Sequence, residues 1–199
     1  MDPILTTGIV GAVGSVTGTI LGTIVGYKLN NSKADVDVYL DNRVWLYYYE
    51  SCFSTYVPIT IVNEGAKSFT ITSFEIELIS PTNQKWKLIW EDFAEENSHK
   101  GEAWGRGKTA APILVHGRSG IQHHLRFTNV DNTSDEFSEV KLPTGEYQLK
   151  INAFDRNTKC FKSKIGYFNI STEPEEALAT CRTEKQDLRT WNFPVRPNA

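Results

Sequence analysis

The sequence predicts a mainly β protein, an antiparallel β-sandwich of about seven or eight strands with one transmembrane helix before it and a short helix and tail after it. Two observations lead to this fold class. An apolar run, Ile4–Gly26, contains no charged residue. From residue 35 onward, short segments of alternating apolar and polar residues recur between turn residues. We therefore divide the chain into a helix (1–29), a linker (30–34), the sandwich (35–171) and a tail (172–199).

The apolar run is long enough to cross a bilayer. As a helix its 23 residues extend roughly 35 Å, against a hydrocarbon core of about 30 Å. A cleaved signal peptide is a poorer interpretation, because Asp2 precedes the run without a Lys or Arg and no small-residue cleavage site follows. A buried soluble helix or a glycine-rich strand are the remaining alternatives, and the spacing of the glycines favours the helix.

Six glycines recur through this run at intervals of three and four residues, so on a helix they share one side. They are Gly8, Gly11, Gly14, Gly18, Gly22 and Gly26. Bulky residues such as Ile20 and Ile24 fall on the opposite side. Small residues repeated in this way allow helix backbones to approach closely in lipid, so we expect a self-associating membrane helix.

Charge and cysteine content indicate the compartment and the partners. Lys28 and Lys33 follow the apolar run, and the positive-inside rule then leaves the C-terminal domain in the cytoplasm. Three cysteines without metal-binding spacing fit a reducing compartment. The net charge is −3 and the sequence contains no basic stripe, so we expect no nucleic acid partner. The expected partners are membrane lipid, other copies of the chain and a protein.

Residues 91–112 interrupt the strand pattern and predict a long loop, which in a compact domain is often functional or disordered. Trp104, Arg106 and Lys108 are the candidates there for contact with a partner or with anionic headgroups. The segment Gly101–Thr109 also invites comparison with a P-loop. It fails because five residues, rather than four, lie between Gly101 and Gly107.

No other pattern predicts chemistry. His123 and His124 are adjacent on a predicted strand, so their side chains point to opposite faces and do not share a metal. Cys52 has no histidine base indicated nearby. The sequence also contains a charged run, which we expect to be a solvated face: Glu91, Asp92, Glu95 and Glu96. We therefore expect no catalytic residue, no cofactor and no metal site.

The segment Leu142–Asp155, LPTGEYQLKINAFD, resembles the penultimate strand of immunoglobulin-like β-sandwiches. The resemblance implies that Tyr147 is a tyrosine corner, whose hydroxyl ties down the preceding crossover. The earlier segment VNEGAKSFTITSFEIELISP is similar to the second and third strands of the same superfamily. Leu149 stands where the antibody type has a cysteine, so no inter-sheet disulfide is implied.

These features predict a single-pass, non-enzymatic membrane protein. Its helix self-associates, as a membrane-perturbing or pore-forming effector in the stronger version, while the cytoplasmic sandwich binds or senses a protein. One alternative is an exported binding or adhesion module on a plain anchor, and another is an enzyme with scattered active groups. In the tail, Trp191 and Phe193 either pack onto the sandwich or form a docking peptide.

Overall fold

The computed structural model describes residues 18–28, 33–49, 52–96, 104–129, 140–184 and 190–197. Helix α1 covers residues 18–28, and helix α2 is Thr172–Glu184. The first six strands are β1 (Val36–Leu40), β2 (Arg43–Tyr49), β3 (Cys52–Asn63), β4 (Phe69–Ile79), β5 (Lys85–Glu96) and β6 (Trp104–Thr109). The other six are β7 (Ile113–Val115), β8 (Ser119–Thr128), β9 (Gly145–Asp155), β10 (Cys160–Ile170), β11 (Trp191–Pro194) and β12 (Arg196–Pro197).

The twelve strands belong to one antiparallel sheet whose order is β11-β2-β3-β8-β5-β4-β9-β10-β12. Three short strands lie off this path, with β1 on β3, β6 on β5 and β7 on β4. Strand β5 changes neighbours along its length. Its first half pairs with β4 and its second half pairs with β8. A strand shared in this way turns the corner between two parts of the sheet, so that their apolar faces meet.

The C-terminal segment brings the two ends of this path together. Strand β11 pairs with β2, and β12, only one residue further on, pairs with β10. Next to this junction β1 lies against β10, where Asp37 forms ion pairs with Lys162 at 3.1 Å and with Lys164 at 3.2 Å. The sheet therefore nearly closes on itself, and the tail contributes to that closure.

The core fills the inside of the folded sheet with large apolar side chains. Phe53, Phe74, Phe127, Tyr147 and Phe168 are all fully buried. They come from β3, β4, β8 and the pair β9–β10, so each part of the sheet contributes to one cluster. Burial of apolar surface of this extent is the main driving force for folding.

Most strands lie in the region where the alternating pattern predicts them, and β1 begins at Val36, at the start of that region. The register of β4 against β9 shifts between Ile71 and Ser73, which marks an irregularity in β4. Helix α2 is the short helix predicted after the sandwich, and Phe193 packs into the core while Trp191 packs against it. The two aromatic side chains of the tail therefore pack onto the sheet and do not form a docking peptide.

Two predictions about the strands were wrong. The predicted long loop over residues 91–112 is largely a hairpin, because β5 continues to Glu96 and β6 returns from Trp104 to Thr109. The described residues also form twelve strands, against the predicted seven or eight. Acidic and glycine-rich residues are poor strand formers, and here pairing with β8 and between the two strands outweighs that preference.

The folded sheet has two ends that matter below. At the entry end, where the chain arrives from α1, lie residues 33–35, 64–68, 116–118 and 156–159. At the far end lie residues 80–84, 140–144 and the start of α2. The register shows this directly, since Asn63 at the end of β3 pairs with both Val36, the first residue of β1, and Ser119, the first residue of β8.

Asn63 holds the entry end together from inside. It is fully buried, and its side-chain oxygen accepts the backbone N–H groups of Asp35 at 3.2 Å and Gly65 at 3.1 Å. Its amide nitrogen donates to the carbonyl oxygens of Lys67 at 2.8 Å and Val115 at 3.4 Å. One side chain therefore joins the incoming chain, the β3–β4 turn and the end of β7.

Candidate functional site

Three of the six predicted interface glycines lie on helix α1. Gly18, Gly22 and Gly26 are four residues apart, so they occupy one side of the helix. A Cβ atom added to any of the three would find no atom within 4 Å. Gly8, Gly11 and Gly14, together with the first part of the predicted span, lie outside the described residues.

The bulky side chains of α1 are exposed as well. Ile20, Leu21, Ile24 and Val25 have between 50% and 63% of their surface accessible, and Tyr27 has 70%. Lys28 ends the helix and Lys33 opens the described domain, and both are exposed. Among the residues that the structure describes, no helix combines the length and the apolar character needed to cross a bilayer.

The predicted headgroup loop is instead part of a hairpin. Trp104 starts β6, and Arg106 and Lys108 lie further along the same strand. The register pairs Arg106 with Ala94 of β5. The strand–turn–helix geometry of a phosphate-binding loop does not occur in this hairpin, because residues 104–109 are themselves a strand. Lys108 and Arg106 are both exposed, and Arg106 also forms ion pairs with carboxylates.

Those carboxylates form a closed ring of four charges with two arginines. Arg126 on β8 holds Asp92 through two nitrogens, at 2.9 Å and 2.6 Å, and holds Glu91 at 2.6 Å. Arg106 contacts the same two carboxylates, Glu91 at 3.3 Å and Asp92 at 3.2 Å. The ring joins β5, β6 and β8, and it fixes the hairpin on the sheet.

The prediction of a solvated acidic run was wrong for Asp92, which is fully buried. Its burial is tolerated because charge-assisted hydrogen bonds from Arg126 replace the lost water. Burial alone would lower the pKa of Arg126, but Asp92 and Tyr47 outweigh that effect and raise it. The sequence pattern contains no signal for this partnership, since Arg126 simply occupies an alternate position of β8 between Leu125 and Phe127.

An aromatic cluster lies beside these four charged side chains, on the opposite face of the sheet from the main core. Tyr47 and Tyr56 stack with centroids 5.0 Å apart, and Trp45 completes a small separate cluster. Burial, together with the hydrogen bond to Tyr47, raises the pKa of Tyr56, so its hydroxyl stays protonated. Tyr48 faces the other way into the main core and donates to the Val140 carbonyl oxygen at 2.6 Å.

The described histidines and cysteines do not assemble into a site. The His123 ring packs on Phe93 at 5.1 Å, whereas His124 packs on Trp45 at 6.2 Å, on opposite faces of β8. Burial lowers the pKa of His123, whose Nε2 atom has no hydrogen-bond partner. Within the described parts of the chain, no three metal-ligating side chains cluster together.

Tyr147, the predicted fold marker, lies near the start of β9. The ring is fully buried and stacks on Phe168 at 5.3 Å. Its hydroxyl donates to the carbonyl oxygen of Pro143, four residues upstream, at 2.7 Å. This bond ties the segment before β9 to the start of the strand.

A cavity of about 290 Å³ lies at the far end, between α2 and the sheet. Its walls include the apolar Leu142 and Leu178 and the charged Glu175 and Arg182. Neither a histidine nor a cysteine is among its described lining residues.

Comparisons with known proteins leave the class at an antiparallel, mainly β protein. The chain matches no protein-family model and no curated protein sequence. Among solved structures it is similar to the ApaA protein of Bordetella pertussis, with a TM-score of 0.34 and 8% identity over 84% of this chain and 93% of that one.

Two further likenesses are equally distant. The Bacillus subtilis lipoprotein YcdA aligns with a TM-score of 0.37 and 14% identity over 76% of this chain and 41% of that one. A Listeria innocua β-glucosidase aligns with a TM-score of 0.39 and 10% identity over 71% of this chain and 17% of that one. At TM-scores below 0.5 these likenesses establish neither a shared fold nor a shared activity.

Proposed function

We propose that the protein is a non-enzymatic membrane protein whose N-terminal helix self-associates through its glycine side, while the β domain binds or senses a protein partner. One observation carries this proposal. Helix α1 exposes a glycine side on which added Cβ atoms meet nothing, and its bulky Ile20 and Ile24 are half exposed on the other side. An exposed apolar helix of this kind needs lipid or a second helix to cover it.

We also propose that the β domain is immunoglobulin-like. The neighbours β1-β3-β8 and β4-β9-β10 correspond to the A-B-E and C-F-G strands of that architecture. The hydrogen bond from Tyr147 to Pro143 supports the same assignment, since a tyrosine corner bonds back to the upstream backbone. Domains of this architecture serve many unrelated functions, so the architecture by itself selects no partner.

A cytoplasmic domain is the orientation we propose. Cys52, Cys160 and Cys181 form no disulfide among the described residues, and an odd number of cysteines fits a reducing compartment. Lys28 and Lys33 on the domain side of the helix agree with the positive-inside rule. The second candidate, an exported binding module, predicts the reverse orientation.

Leucine substitution on the glycine side tests self-association. The double variant Gly18→Leu and Gly22→Leu should lose the cross-linked oligomers that the wild-type chain forms in membranes, because leucine side chains separate the backbones. Ile20→Leu and Ile24→Leu add the same side chain on the opposite side and should leave oligomers intact. Oligomers that persist in the glycine variant would overturn self-association through this side.

Protease treatment of intact cells, with an alkaline wash of the membranes, tests the orientation. A domain that stays in washed membranes and is cut only after the cells are opened lies in the cytoplasm. Cleavage from outside would overturn that orientation and favour the exported module.

A further inference from the structure

We infer that the entry end of the β domain rests on an anionic membrane surface and contacts lipid headgroups through five basic residues. They are Lys33, Lys67, Arg118, Arg156 and Lys159. The inference rests on the proposed membrane anchor and names the lipid surface that the domain meets. It concerns a surface separate from the predicted candidates Trp104, Arg106 and Lys108, which lie on β6.

The fold brings these residues together from four separate segments. Lys33 precedes β1, Lys67 lies between β3 and β4, Arg118 lies between β7 and β8, and the other two lie in the β9–β10 turn. The strand register places all four segments at one end, because Phe69 pairs with Val115 and Ile71 pairs with Asp155. No local sequence pattern predicts such a cluster.

Backbone contacts hold these segments in fixed positions. The Arg118 N–H donates to the Gly65 carbonyl oxygen at 2.8 Å, and a Cβ added to Gly65 would lie 2.0 Å from the Lys33 carbonyl oxygen. The Thr72 hydroxyl donates to the carbonyl oxygen of Asp155 at 2.7 Å, which ties the β9–β10 turn to β4. The basic side chains therefore project from a preorganised base, and all five residues are exposed.

The two ends of the domain differ in charge. The entry end has five basic residues against three acidic ones, Asp35, Glu64 and Asp155. The carboxylate of Asp155 is already hydrogen-bonded within its own turn, since it accepts the backbone N–H groups of Asn157 at 2.8 Å and Lys159 at 3.0 Å. At the far end the balance is reversed, with one basic residue, Lys141, against three acidic ones, Glu173, Glu175 and Glu176.

The chain delivers the positive end to the membrane side. Lys28 ends helix α1 and Lys33 opens the domain, and a fully extended chain covers about 3.5 Å per residue. Lys33 is therefore within roughly 18 Å of the end of the helix. Each Lys or Arg close to an anionic leaflet strengthens attraction to it about fivefold, so a cluster of five orients the domain.

The test uses the full chain reconstituted in two kinds of vesicle, phosphatidylcholine alone and phosphatidylcholine with 30% phosphatidylserine. Hydrogen–deuterium exchange is followed in peptides covering residues 64–68, 116–118 and 156–159 at the entry end, and 80–84 at the far end. With phosphatidylserine, we expect exchange at the entry end to slow about fivefold or more and exchange at 80–84 to stay the same. High salt should remove the difference.

Two charge-removal variants separate this end from general electrostatics. The entry-end variant replaces Lys67, Arg118, Arg156 and Lys159 with Gln, and should lose the phosphatidylserine effect. The control variant replaces Lys85, Lys87, Lys141 and Lys150 with Gln, which removes the same charge from other surfaces, and should retain it. Thermal unfolding of both variants shows that each is folded.

The outcomes distinguish this inference from the proposed function. If the chain does not float with vesicles, the membrane anchor fails and the inference fails with it. If it floats but the entry end exchanges equally in both vesicles, or the control variant loses the effect as well, the inference alone is overturned. Slowed exchange in detergent that depends on protein concentration would instead show a second copy's acidic far end as the occupant, and would also overturn it.

Discussion

Glycine has opposite roles in helix α1 and in the β domain. On α1, a Cβ added to Gly18, Gly22 or Gly26 would meet no atom within 4 Å. In the domain, a Cβ on Gly65 or Gly117 would lie 2.0 Å from a backbone carbonyl oxygen. The domain glycines are needed because two chain segments already touch there, whereas the helix glycines keep one side of the helix open.

Helix α1 and the β domain also differ in how their side chains are paired and packed. In the domain, buried Asp92 and Asn63 are satisfied by side chains and backbone groups of the described chain. On α1, exposed apolar side chains have no core to pack against. The large apolar side chains of the domain thus pack into its own core, whereas those of α1 are exposed. Three predictions test this contrast, starting with the largest effect.

Breaking the ring of charges should affect the domain most. Arg126→Met leaves Asp92 buried without its main partner, and we expect a loss of about 3–5 kcal/mol in the free energy of unfolding. Chemical denaturation measures it. The double variant Asp92→Leu and Arg126→Met should recover much of the loss, because no charge is then left unpaired at this position. A loss below about 1 kcal/mol in the single variant would show that Asp92 is solvated after all.

Adding one methyl group at a crowded glycine should have the next largest effect. In Gly117→Ala the new Cβ would overlap the backbone of Ala66, and we expect a loss of about 1–3 kcal/mol in the free energy of unfolding. Gly120→Ala is the matched control, since its Cβ would meet the nearest atom, the Ile61 carbonyl oxygen, at an ordinary 3.5 Å. Gly22→Ala on α1 should leave unfolding of the domain unchanged. Equal losses at positions 117 and 120 would contradict the proposed crowding.

Acid should weaken the domain by a smaller amount through His123. Burial lowers its pKa below the ordinary value near 6.5, so the unfolded chain binds a proton more readily than the folded one. The free energy of unfolding should therefore fall as the pH drops below about 6.5. The pKa of Asp37 is lowered, because its bonds to Lys162 and Lys164 outweigh burial, so its stabilisation is lost only below about pH 4, in a separate window.

His123→Gln should flatten this dependence between pH 5 and 7, and denaturant titrations at several pH values measure it. His116→Gln, at an exposed position, is the control and should leave the slope unchanged. An unchanged slope in His123→Gln would show that another group titrates in this window.

The sequence allowed most strands to be predicted but not the hairpin β5–β6. Alternation of apolar residues marks β4 and β9, because side chains on a strand alternate between core and solvent. Residues after Trp90 lack that alternation. Their strand conformation depends on pairing with β8, so local sequence contains no sign of it.

The glycine spacing, the alternating strands and the acidic start of α2 follow from the sequence alone, since each depends on residues close together in the chain. Tertiary structure decided that Asp92 meets Arg126, 34 residues away, and that four basic segments share the entry end. The physical reason is that strand pairing and register depend on contacts between distant residues. Local periodicity selects which face of a strand is buried but does not select its neighbour.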